Sequence, residues 1–229
     1  MEKQLGMVPD MLLPTYMAKS LEAMKAPRAV KCITFECSEA SPGKTLYVSV
    51  PKLNENEVLV PDMLALRFDL DLSVGHANNY VVKNVTWTLV DKMVVKFSES
   101  TLQDTVGYDI YKTFEDLFLS VEEHDNMLLE GIQSVDLSKI CSNAGDKPTS
   151  SVDDEKQLND IFGNKYRIKL DHEILTDHSV FYPQALYNNL GFEVMLAPAS
   201  QVVVNDVDKS KLKYKLTNIL LEYEMIRSN

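Results

Sequence analysis

A chain of 229 residues, 45% hydrophobic and 25% charged, has the composition of an ordinary globular protein and enough length to bury a sizeable core. Its formal net charge of −11 repels phosphate, which argues against direct nucleic-acid binding and against packaging a genome on a basic surface. No apolar run approaches the roughly 18 residues that span a bilayer. The N-terminus, MEKQLGMVPDMLLPTYMAKS, lacks the basic and apolar regions of a signal peptide, so neither a membrane span nor secretion is expected.

In chain order, residues 1–28 read as a partly helical N-terminal arm. Met17, Leu21 and Met24 are spaced by four and three, which makes one apolar stripe before Pro27 interrupts it. Such a stripe suits a surface helix packed on the body, or an arm docked on a neighbouring subunit. Residues 29–229 read as a single domain. From Ala29 onward the hydrophobic period becomes two. Val30 to Phe35 and Thr45 to Val50 are β-rich runs, separated by a turn with Pro42 and Gly43 at its tip. Leu64, Leu66, Phe68, Leu70 and Leu72 then alternate with Ala65, Arg67, Asp69, Asp71 and Ser73, one face buried and the other wet. After the turn-like GHANN segment, Val85, Trp87 and Leu89 extend the pattern, and Met93, Val95 and Phe97 repeat it until SES closes the run.

The middle third changes period. Phe114, Leu117, Phe118, Val121 and Leu128 within Tyr111 to Leu129 suit a helix. Asp136 to Cys141 reads as a further turn of helix, Asn143 to Ser151 as a polar loop, and Asp153 to Phe162 as a short helix ended by Gly163. Residues 108–163 or so therefore form a long helical insertion between strands. Strand character returns with Tyr166, Ile168 and Leu170, then with Phe192, Val194 and Leu196, and a short strand is expected at Val202 to Val204. In the last run Tyr214 and Leu216 share a face, and Ile219, Leu221, Tyr223 and Met225 follow one residue out of phase, which predicts a bulge near Asn218. Eight or nine strands and one helical excursion describe an all-β antiparallel sandwich.

Chemical motifs fail one by one. SPGKT at Ser41 to Thr45 resembles the tail of a phosphate-binding loop, yet Ser38 stands where the leading glycine belongs, and a strand follows in place of a helix. His76, His124, His172 and His178 show no HxH or HxxxH spacing, so structural histidines are expected, not ligands. The three cysteines, Cys32, Cys37 and Cys141, are an odd count without a secretory signal and read as reduced thiols. Five residues of extended chain would hold Cys32 and Cys37 roughly 16 Å apart on opposite faces, beyond disulfide reach. Asp69 and Asp71 share the solvated face of their strand, and the sequon Asn84-Val85-Thr86 matters only on a secretory route. No nucleophile-elbow motif is visible. The chain is accordingly expected to be no enzyme, with no catalytic residue, no cofactor and no metal.

Three long strings carry a resemblance. LVDKMVVKFSESTLQDTVGYDIYKTFEDLFLS (Leu89 to Ser120), KYRIKLDHEILTDHSVFYPQALYNNLGFEVMLAPASQVVV (Lys165 to Val204) and KYKLTNILLEYEMIRS (Lys213 to Ser228) resemble the major capsid proteins of Polinton/Maverick-type elements and adintovirus-like viruses. The similarity runs from about Pro61 to the C-terminus. It implies a jelly-roll sandwich of eight strands, the first half of a double jelly-roll subunit, or else a natural single jelly-roll relative. It further implies a structural protein of an icosahedral virion capsid, assembled inside the host cell. Its partners would be itself and other capsid subunits, with a homotrimer expected of the full-length family member. The resemblance places the helical stretch in a loop between strands D/E and F, and makes Lys213 to Ile226 the closing strand. Contact residues are expected in the loop between Tyr108 and Phe162. The alternative is a jelly-roll binding module recognising carbohydrate or a protein receptor, which calls for exposed aromatics clustered with Asp or Asn.

Overall fold

Eleven strands and three short helices follow one another along the described chain: β1 (Arg28–Thr34), β2 (Glu39–Ala40), β3 (Thr45–Ser49), β4 (Glu57–Asp71), β5 (Tyr80–Val81), α1 (Val85–Thr88), β6 (Val90–Phe97), β7 (Ser100–Val106), α2 (Tyr108–Asp116), β8 (Lys165–Lys169), β9 (Leu190–Leu196), α3 (Ala199–Val202), β10 (Val203–Val204) and β11 (Lys215–Arg227). A 3₁₀ turn at Pro183–Ala185 precedes β9. The computed structural model describes residues 28–34, 38–72, 74, 80–82, 84–120, 165–172, 175, 180–204 and 211–227. The arm before residue 28, the GHANN segment and the insertion from 121 to 164, with the helices expected there, lie outside the described residues.

Two antiparallel sheets face each other. One runs β1-β11-β4-β8, with β2 also paired to β11, and the other runs β3-β9-β6-β7. Lettered B to I in chain order, the eight main strands β1, β3, β4, β6, β7, β8, β9 and β11 give B-I-D-G opposite C-H-E-F. That order is the jelly roll, two interleaved Greek keys that close without either sheet standing alone. β11 lies between β1 and β4 and is indeed the closing strand.

Period-two sequences form these strands because one face has a partner sheet to bury against. β9 alternates without a fault, with Leu190, Phe192, Val194 and Leu196 buried. From the facing sheet come Leu64, Leu66, Phe68 and Leu70 of β4, with Ile168 of β8 and Leu221 of β11. Tyr214 enters this core with its polar end satisfied, its hydroxyl donating to the Ala197 carbonyl at 2.6 Å. The predicted bulge is present. Asn218 sits at φ 52°, and the β11–β4 register shifts between Thr217 and Leu220, so Leu216 and Ile219 both face inward.

Three expectations need correction. Val85, Trp87 and Leu89 do not continue a strand: Asn84 at φ 56° turns the chain, and its carbonyl accepts from the Trp87 and Thr88 amides to begin the one-turn helix α1. Burial of Val85, Thr86 and Trp87 overrides their β propensity. β4 begins at Glu57, seven residues before the alternation starts, and carries Pro61 within it; a second register shift, between Glu222 and Glu224 of the paired β11, takes up that irregular stretch. The helical excursion falls between β7 and β8, strands F and G, and not between D/E and F. The slip arises from β7, whose STLQDTV sequence is polar and largely exposed. As an edge strand held by β6 alone, it needs no apolar alternation and shows none.

Candidate assembly surface

α2 opens the excursion from the sandwich, and it is oriented against the usual rule for surface helices. Gly107, at φ 67°, turns the chain out of β7 while its amide donates to the Asp91 carbonyl at 3.0 Å. The Gly107 carbonyl then accepts from the Ile110 and Tyr111 amides. A residue with a Cβ is disfavoured at this φ, so the glycine sets the angle at which the helix leaves.

The polar and aromatic side of α2 faces the protein. Tyr108 is buried, and its hydroxyl lies 3.4 Å from Asp171 Oδ1. Lys112 Nζ donates to Asp171 Oδ2 and to Glu115 Oε2, each at 2.8 Å. The same ammonium stands 5.6 Å from the ring centroids of both Tyr108 and Tyr111, which adds cation–π attraction. Burial works against the Lys112 charge, yet Asp171 and Glu115 outweigh it and hold its pKa above the ordinary 10.5. Below the helix is a cavity of about 200 Å³ that reaches His172 and Met93. α1 packs on both α2 and β8, so the buried Trp87 and the Lys112 cluster together brace the helix.

The apolar side faces solvent. Ile110, Phe114, Leu117 and Phe118 follow at steps of four, three and one, which is a single helical face. They are between 61 and 76% exposed. The turn continues past Asp116, with the Phe118 amide donating to the Glu115 carbonyl at 3.0 Å, and the Phe114 and Phe118 rings meet edge to face at 5.5 Å. At about 150–200 Å² per large side chain, this face leaves on the order of 400–500 Å² of apolar surface in water. That is the size of the largest patch on a typical monomer, roughly 300–600 Å², and about half of the ~800 Å² that each partner contributes to a standard interface.

The residues singled out in the sequence are scattered. Gly43 and Lys44 form a tight turn whose amides bond to the Leu196 and Ser41 carbonyls, with strand β3 following. Asp69 lies on the outer face of its sheet and accepts from Asn218 Nδ2 at 2.7 Å, while Asp71 stands opposite Lys215. Thr86 of the sequon is buried. Cys32 pairs in register with Glu222; Cys37, Cys141, His76, His124 and His178 lie outside the described residues. His172 lines the cavity under α2. Among the described residues, no group of three His, Cys, Asp or Glu is placed to hold a metal ion, and no helix is long and apolar enough to cross a membrane. Within the expected contact loop the described part supplies 108–120. The sequence marked Phe114, Leu117 and Phe118 as one helical face but not the direction in which that face points.

Comparison with known proteins gives one kind of match. No protein-family profile and no curated protein matches the chain. Among solved structures, a chain of the PBCV-1 virus capsid is similar, at 12% identity and a TM-score of 0.47, over 88% of this chain and 43% of that one. The chain thus spans less than half the length of that capsid chain.

Proposed function

We propose that this chain is a structural capsid subunit of a DNA virus or virus-like mobile element, a Polinton- or adintovirus-type jelly roll that builds an icosahedral shell through contacts between copies. Its place is the virion capsid, assembled inside the host cell, and its work is done by interfaces and not by catalysis. The resemblance of the three long strings points to this family, and the B-I-D-G/C-H-E-F strand order is the architecture that such subunits require. The observation that carries the reading is the reversed amphipathicity of α2. A helix that buries Lys112 and leaves Phe114, Leu117 and Phe118 in water gains nothing from the water, and its apolar face is completed by a second copy of the chain. A shell subunit needs such a surface in every copy.

Sedimentation velocity and negative-stain imaging of the purified chain test this. Trimers or larger assemblies are expected. The double substitution Phe114→Asp, Phe118→Asp is expected to leave folded monomers that still unfold in one cooperative thermal transition, because exposed side chains contribute little to the fold of a single chain. Their midpoint should no longer rise with protein concentration. A wild-type chain that stays monomeric at high concentration, or a variant that assembles as the wild type does, would sink the proposal.

A further inference from the structure

A second surface, remote in sequence from α2, has the chemistry of a ligand site. Tyr187 is 94% exposed, so both faces of its ring stand in water. It borders a shallow, open groove that includes Asn188, Asn189, Ser49, Ser98 and Glu99. We infer that this groove binds carbohydrate, in the form of one or two units of a neutral sugar, with Tyr187 as the stacking platform.

The groove is built on paired backbone. Gly191 lies opposite Ser49 on one side and Lys96 on the other, on the outward face of β9. A Cβ there would stand 3.0 Å from the Val48 carbonyl oxygen, so glycine lets the paired β3 backbone approach this closely. The loop bearing Tyr187 is tied at its far end, where the Ser98 amide donates to the Asn189 carbonyl at 2.9 Å and the Val50 amide to the Leu190 carbonyl at 2.8 Å. Ser98 itself, at φ 56°, occupies the first position of the two-residue turn from Phe97 to Ser100. That conformation is strained for a residue with a Cβ, and it holds Ser98 and Glu99 at the rim.

Sugar chemistry matches what is displayed. A pyranose ring has an apolar C–H face that stacks on an aromatic ring, and hydroxyls at its edge that both donate and accept. Asn188 and Asn189 supply donors and acceptors together, the serines supply hydroxyls, and Glu99 accepts only. Charge selects among sugars. Among the described lining residues the one ammonium, Lys96, is neutralised by Glu193 Oε1 at 2.6 Å, which leaves the Glu99 carboxylate to repel an anionic sugar. The inference goes beyond the assembly role and does not depend on it.

Saturation-transfer NMR on the intact chain, with lactose, N,N′-diacetylchitobiose and 3′-sialyllactose as probes, decides the matter. Transfer to the ring protons of at least one neutral disaccharide is expected, with little to 3′-sialyllactose. Tyr187→Ala should weaken the binding by about tenfold, and Tyr187→Trp should retain it. Neither substitution should change the oligomeric state, which separates this outcome from a failure of the assembly reading. No transfer from either neutral sugar, a Tyr187→Ala chain that binds as well as the wild type, or a preference for 3′-sialyllactose would overturn the inference.

Discussion

Glu57 shows how much one polar side chain can tie together. It is 1% exposed, and its Oε1 accepts from Arg227 Nη2 at 2.9 Å while Oε2 accepts from the side chain and backbone of Asn54 at 2.8 and 3.2 Å. Its backbone carbonyl accepts from Gln184 at 2.8 Å. One residue therefore joins the start of β4, the end of β11 and the turn before β9. The Arg227 guanidinium, followed by the Asn54 amide, holds the carboxyl below its ordinary 4.5, against the opposing pull of burial. A carboxyl with a lowered folded-state pKa stabilises the fold fully above its unfolded value, and that stabilisation is lost as pH falls through the folded value. Urea unfolding measured between about pH 7 and pH 3 should therefore show stability falling below the ordinary carboxylate range. Glu57→Gln should be less stable at neutral pH and should flatten that acid limb.

Two elements depart from a regular pattern, for different reasons. In β11 the bulge at Asn218 lets Leu216 and Ile219 reach the same core, and Asn218 tolerates its φ of 52° because Asn and Gly enter that region more readily than other residues. Asn218→Val is expected to cost about 1–2 kcal/mol, and Asn218→Gly to lie within a few tenths of the wild type, as read by chemical denaturation. A valine variant as stable as the wild type would show that the bulge relaxes at no cost. In α2 the departure lies not in the backbone but in the direction of its faces. Its apolar spacing is plain in the sequence. The buried partners of its other face come from far along the chain, Asp171 above all, so no local window shows which side is turned inward. β7 illustrates the opposite case: a strand held by pairing at the edge of a sheet, with no hydrophobic signal to mark it.

At the scale of the whole molecule, charge and apolar surface oppose each other. Every copy carries a formal charge of −11, so in the proposed assembly copies repel until their apolar α2 faces meet. Salt shortens the reach of that repulsion from ~10 Å at 0.1 M to ~3 Å at 1 M, and it does not weaken apolar contact. Association measured by sedimentation should therefore strengthen as sodium chloride rises, and more so with sulfate, which favours apolar burial. A contact that dissolves in salt would instead rest on ion pairs. By itself, the sequence determined the class of the fold, because period-two alternation buries one face of each strand wherever the strands go; β9 and the bulge in β11 were legible for that reason. The tertiary structure alone decided the strand order, the place of the excursion between β7 and β8, and the exposure of Phe118 and Tyr187. Those depend on which distant residues come to lie alongside, and neither spacing nor composition encodes a neighbour a hundred residues away.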